Sequence, residues 1–99
     1  MAKLTFTLHH QLDQADARRR LERERERLSG MLDGKSGRGE SHWQGDRLLF
    51  DIHALGQSAN GVLTIEQPGV VAVEATVPLP ALLLRGKVEK RLRKVLRID

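Results

Sequence analysis

Four histidines, thirteen carboxylates and no cysteine set the chemical repertoire of this 99-residue chain. The absence of cysteine excludes disulfides, thiolate metal sites and a thiol nucleophile together. His9, His10, His42 and His53 show no pair at the helical spacing of metal ligands, and no acidic residue completes a zinc set, so no metal site is expected. Asp51 and His53 alternate along a strand-like segment and share a face, as a base and its orienter would. Ser41 and Ser58 read as turn residues, which leaves that pair without a nucleophile. Gly34-Lys35-Ser36 resembles the end of a phosphate loop. However, only three residues separate Gly30 from Gly34, where the motif needs four, and the segment follows a helix rather than a strand. These residues predict neither catalysis nor a cofactor.

The charge pattern near the C-terminus is more informative. If residues 81 to 97 form one α-helix, Ala81, Leu84, Val88, Leu92 and Val95 gather into an apolar stripe. Lys87, Lys90, Arg93, Lys94 and Arg97 then lie opposite, with Glu89 the acidic residue beside them. Such a face can rest on phosphates or anionic headgroups. Its ordinary alternative is a solvated surface whose cations complement the helix C-terminus. Leu82 and Leu83 fall outside the stripe, so they either pack on the sheet edge or form an exposed apolar spot. A second charged run, Arg18 to Arg27, holds six Arg and three Glu. Arg18–Glu22, Arg20–Glu24, Glu22–Arg25 and Glu24–Arg27 have the spacing of helical ion pairs. The run reads as a solvated helix face, with a dimer or partner contact as the alternative.

These side chains need a scaffold. Lys3 to His9 alternates strictly and predicts a strand that buries Leu4, Phe6 and Leu8. Asp13 and Asp16 suit the start of a helix over 15–32 with Ala17, Leu21, Leu28, Met31 and Leu32 inward. Residues 33–41, rich in glycine, predict a flexible basic loop. Ser41 to Gln44, Arg47 to His53, Gly61 to Gln67 and Val70 to Val77 follow as four strands. They are joined by turns at Gly45-Asp46, 56–60 and Pro68-Gly69. Trp43 reads as a packing residue on the sheet, or as the lining of a small cavity with Phe50. The order strand, helix, four strands, helix predicts a single two-layer α+β domain. Its antiparallel sheet of about five strands is covered on one face by both helices. That order is also the order of a shortened helix-grip fold.

Composition narrows the class further. Apolar residues make up 39% and charged residues 30%, which suits one small globular domain. The net charge of +4 is compatible with an anionic partner but does not require one. With only Phe6, Trp43 and Phe50 aromatic, stacking on nucleic-acid bases is disfavoured. No apolar run approaches the ~18 residues of a membrane span, and the N-terminus is too polar for a signal peptide. The expectation is a bacterial-type cytoplasmic protein.

With the elements in order, the chain resembles the polyhydroxyalkanoic acid system protein family, small bacterial proteins encoded near polyester-storage genes. The resemblance spans residues 3 to 98. It rests on the opening strand with His9-His10-Gln11-Leu12 and an Ala/Arg/Glu helix, and on the hairpin Trp43-Gln44-Gly45-Asp46-Arg47-Leu48-Leu49-Phe50. It rests also on Gly61-Val62-Leu63-Thr64-Ile65 and on Leu82-Leu83-Leu84-Arg85-Gly86-Lys87-Val88-Glu89 before the basic helix. The insert Gly34 to Gly39 departs from the pattern by its length. The resemblance implies a role in the polyester storage system, at the granule surface or with granule proteins. It carries no catalytic residues.

Two readings follow. The first is a non-enzymatic granule-associated or regulatory protein that uses Lys87, Lys90, Arg93, Lys94 and Arg97. The second is a module binding a small apolar ligand between the sheet and the last helix, near Trp43 and Phe50.

Overall fold

A computed structural model describes residues 1–32, 37–54, 56–66 and 68–98, and no side-chain description extends to Met31, Leu32 or Ala54. The elements run β1 (Ala2–His9), α1 (Gln14–Leu32), β2 (Gly37–Gln44), β3 (Arg47–Ala54), β4 (Gln57–Glu66) and β5 (Val70–Val77). A 3-10 helix (Leu79–Leu84) and then α2 (Arg85–Val95) complete the chain. The five strands form one antiparallel sheet in the order β1-β5-β4-β3-β2. The class is α+β.

Strand alternation decides which face is covered. Leu4, Phe6 and Leu8 of β1 stand opposite Ala75, Val73 and Val71 of β5. Leu63 and Ile65 of β4 and Leu48 of β3 continue the same face. The helices add Ala17 and Leu21 from α1, Leu92 from α2 and Leu96 just beyond it, and all these side chains form one buried cluster. Burying a leucine fully is worth about 1.5–3 kcal/mol, so Leu8, Leu21 and Leu96 are principal anchors. The other face carries Lys3, Thr5, Thr7, Glu74, Glu66, Arg47, Asp51 and His53, and it is open to solvent.

A local signal fixes the start of α1. The Asp16 N–H donates to Asp13 Oδ1 at 2.8 Å, so Asp13 caps the first turn. At the opposite corner, the His10 N–H donates to the Gly69 carbonyl at 2.8 Å and ties the end of β1 to the β4–β5 turn. Gly69 has φ +62°, and a Cβ there would stand 2.5 Å from the His10 carbonyl oxygen. Both the backbone conformation and the space therefore require glycine.

Three sequence expectations change. The loop expected over 33–41 is shorter: β2 begins at Gly37, while residues 33–36, with most of the phosphate-loop-like segment, lie outside the described residues. Arg38, Glu40 and His42 point to the open face, and Gly37, Gly39, Ser41 and Trp43 point toward the helices. Their alternation satisfies the outer edge of β3, which would otherwise lack a partner. The turn expected over 56–60 is likewise confined to the neighbourhood of Gly56, because Gln57 to Asn60 pair with Asp51 to Ala54. Ser58 is thus a strand residue.

The third change concerns the last helix, which begins at Arg85 rather than near Ala81. Pro78 and Pro80 lead into the 3-10 segment, whose three-residue turn shifts the helical phase. The apolar stripe expected from Ala81 is therefore broken at Leu84, whereas Val88, Leu92 and Val95 still share one side of α2, whose first turn is more exposed than its last. Leu84 and Val88 are 49% and 42% exposed, whereas Leu92 and Leu96 are buried. Leu28 of α1, also expected inward, is exposed.

The helix ends in a left-handed residue, Arg97, at φ 58°. The Arg97 N–H donates to the Lys94 carbonyl at 3.2 Å and the Ile98 N–H to the Arg93 carbonyl at 2.7 Å, which closes the last turn. A side chain at this conformation costs about 1 kcal/mol, so Arg97→Gly should raise the unfolding free energy by up to about 1 kcal/mol. Urea unfolding of the two forms measures this; a loss of stability would show that the Arg97 side chain makes a compensating contact.

Candidate functional site

Charged residues divide into those that build the fold and those left over. Glu24 belongs to the first group. It lies on the inward side of α1, is 7% exposed, and is the buried charged residue among those described. Arg27 donates to it through Nε and Nη2 at 3.0 and 2.8 Å. Arg91 of α2 donates through Nε and Nη2, both at 2.9 Å. One carboxylate therefore holds two guanidiniums and joins the two helices. The bonds from Arg27, then those from Arg91, hold the Glu24 carboxyl at about 2, well below its ordinary value.

Glu22 builds a second junction. It accepts from Arg25 Nε and Nη2 at 2.8 and 2.5 Å, and from the Trp43 indole N–H at 2.8 Å. Arg25 Nη1 reaches Ser41 Oγ at 3.2 Å, and the Arg18 guanidinium lies 4.6 Å from the centre of the Trp43 ring. These contacts seat α1 on β2, the edge strand. The Arg25 bonds chiefly, with the Trp43 indole adding to them, hold the Glu22 carboxyl at about 2 as well.

The Arg/Glu run is consequently a docking face rather than a merely solvated one. Glu22–Arg25 and Glu24–Arg27 pair as their spacing predicts. Arg18 instead stacks on Trp43, and Arg20 Nε is buried without a hydrogen-bond partner. The sequence signal for Glu24 was its place on the apolar stripe of α1; nothing in the sequence points to Arg91 as its partner.

Both depressed carboxylates give the fold an acid limit. Their stabilisation is complete above the ordinary carboxylate value of 4.5 and is lost as pH falls through about 2. Unfolding midpoints measured from pH 6 to pH 2 should decline mainly below 4.5, and Glu24→Gln should flatten that decline. An unchanged slope in the variant would remove Glu24 from the acid response.

Asp51 and His53 do meet, with Nε2 to Oδ1 at 3.3 Å, and about half of each side chain is exposed. Ser58 stands opposite His53 in the register. All three lie on the open face, with no enclosing wall to exclude water. Among the described residues, no group of three or more His, Asp or Glu is placed to hold a metal ion.

A depression of about 360 Å³ lies on that open face, lined in part by Thr5, Thr7, Arg47, Thr64, Glu66 and Glu74. Trp43 and Phe50 do not line it. Both are half-buried on the opposite face, where they pack against the core.

The leftover cations are on α2. Lys87, Lys90 and Lys94 are exposed along one side of the helix, and Arg97 is exposed in the turn that follows. Arg93 is half-buried and sits nearer the core side. Among the described residues, no carboxylate lies within ion-pair distance of Lys87, Lys90 or Lys94. By contrast, Arg85 at the start of the helix is engaged: its Nη2 donates to the Thr5 carbonyl at 3.3 Å. That bond covers part of the outer edge of β1.

Fold and charge together define a small two-layer α+β protein whose last helix carries exposed lysines. The family model described as "putative polyhydroxyalkanoic acid system protein" matches residues 4–98, nearly the whole chain, and the chain belongs to that family. No curated protein and no solved structure matches it. No helix is long and apolar enough to cross a membrane.

Proposed function

We propose that this protein is a non-enzymatic accessory of the polyhydroxyalkanoate storage system and attaches to the granule surface through the basic face of α2. The observation that carries this reading is the set of exposed lysines, Lys87, Lys90 and Lys94, which no carboxylate among the described residues neutralises. Arg25, Arg27 and Arg91, by contrast, are bound to Glu22 and Glu24 and hold α1 in place. A granule surface carries phospholipid and protein, so it offers the anionic partner that such a face requires. Arg97, exposed in the turn after the helix, extends the contact.

The test is fractionation of a polyester-accumulating host that expresses the tagged protein. The wild-type chain should sediment with granules at low salt. A variant with Lys87, Lys90, Arg93, Lys94 and Arg97 all replaced by Gln should stay in the supernatant while keeping its circular dichroism spectrum. A wild-type protein found wholly in the supernatant of granule-filled cells would overturn granule attachment. A variant that still sediments would remove this face from the account.

A further inference from the structure

The lysines of α2 border an apolar surface that charge alone does not explain. Leu79 is 67% exposed and Leu83 87% exposed, with Leu84 and Val88 about half exposed. These four belong to ten consecutive residues and account for most of the large exposed hydrophobic side chains described. Leu79 and Leu83 are four apart, as are Leu84 and Val88. Scattered single leucines on a surface need no explanation, but a cluster of this kind does.

The placement of Lys87, Lys90 and Lys94 restricts what covers the cluster. Along α2 the lysines follow one another at three- and four-residue steps on one side, and Val88 lies across Arg91 from them, one turn before Leu92. The buried strip of Leu92 and Val95 lies away from them, toward the core. The exposed side of this element is thus divided lengthwise into an apolar part at its start and a cationic part toward its end. A lipid surface with anionic headgroups is complementary to both parts: acyl chains take the leucines, and phosphates take the lysines.

We infer that the 3-10 segment and α2 together form an in-plane lipid anchor. Leu79, Leu83, Leu84 and Val88 enter the acyl boundary of an anionic phospholipid layer, and Lys87, Lys90 and Lys94 contact its phosphates. This inference rests on the surface-attachment reading above and deepens it, because it makes attachment partly apolar and so resistant to salt.

The experiment uses the purified full chain with vesicles of phosphatidylcholine alone, and with vesicles containing about one third phosphatidylglycerol, in flotation at low and high salt. Wild type should bind the anionic vesicles and retain part of that binding at high salt. Leu79→Ser with Leu83→Ser should weaken binding by about a hundredfold, given the transfer energy of two leucines. Lys87→Gln with Lys90→Gln and Lys94→Gln should weaken it by a similar factor, at roughly 1 kcal/mol per lysine. The substituted side chains are exposed, so both variants should keep the wild-type unfolding midpoint.

Binding unaffected by the two serines would overturn the apolar anchor while leaving attachment by charge intact. A wild-type chain that sediments with granules but ignores both vesicles would overturn the lipid assignment in favour of a granule protein, with granule attachment still standing. A concentration-dependent dimer abolished by Leu83→Ser would assign the leucines to a second copy of this chain, which also overturns it.

Discussion

Replacing Glu24 by alanine should lower the unfolding free energy by about 2 kcal/mol. Glu24 is a buried carboxylate that accepts four guanidinium hydrogen bonds, two from its own helix and two from α2. Breaking a buried ion pair commonly costs 3–5 kcal/mol, because the remaining charge loses its partner. Here both arginines stay partly exposed and are solvated when released, so the smaller figure applies. The two contacts differ in kind. Arg27 lies three residues along the same helix and organises only local structure. Arg91 comes from α2 and is the polar tie between the helices. A double-mutant cycle of Glu24→Ala with Arg91→Ala should therefore show a larger coupling than the cycle with Arg27→Ala. Equal couplings would mean that Glu24 serves only α1. A loss near zero for Glu24→Ala would place the junction among surface ion pairs of no consequence.

The other large effect is expected at Gly61. This residue lies in β4, between Phe50 of β3 and Ala75 of β5, on the face that the helices cover. A Cβ at this position would stand 2.5 Å from the Glu74 carbonyl oxygen and 2.8 Å from both Cα and Cβ of Ala75. Two of those three atoms are backbone, so no rotamer change relieves the clash. The β4–β5 ladder would have to move apart near its Asn60–Thr76 end. Overpacking of this kind costs 1–3 kcal/mol and more where backbone must shift, so Gly61→Ala should destabilise by about 3 kcal/mol. Gly30→Ala is the control: it sits in α1 with nothing within 4 Å of an added Cβ, and alanine should stabilise the helix there by up to about 1 kcal/mol. Denaturant unfolding of both variants decides the matter. A Gly61→Ala protein as stable as wild type would mean that the two strands separate at little cost.

The Glu24 junction also bears on the proposed function. Arg91 lies between Val88 and Lys94 on α2, so the Glu24 junction holds the helix whose outer face carries Lys87, Lys90 and Lys94. If Glu24→Ala loosens α2, surface attachment should weaken even though no contact residue has changed.

Much of this organisation is written in local sequence. The alternation of Leu4, Phe6 and Leu8 and of Val71, Val73 and Ala75 sets two strands and their buried face, because a strand repeats every two residues. Asp13 marks the start of α1, and Gly45 and Pro68-Gly69 mark hairpins, because capping and positive φ depend on neighbouring residues alone. The family was legible too, in the order of short motifs across the chain. The basic residues of the last helix are likewise read directly from their spacing.

What sequence could not supply depends on phase and on partners distant in the chain. The 3-10 segment Leu79–Leu84 breaks the helical phase before α2, and burial then increases along α2, so Leu84 and Val88 are exposed while Leu92 and Leu96 are buried. Gly37 to Ser41 becomes a strand only because β3 presents an unpaired edge beside it. Glu24 looks like one more charge in a charged run until Arg91, 67 residues later, is brought to it. Trp43 becomes a hydrogen-bond donor to Glu22 only when α1 lies across β2. Composition and periodicity therefore determined the class of fold, its elements and its net positive charge. Tertiary packing alone decided which charges are consumed within the protein and which leucines are left outside it, because neutralisation and burial are properties of neighbours in space.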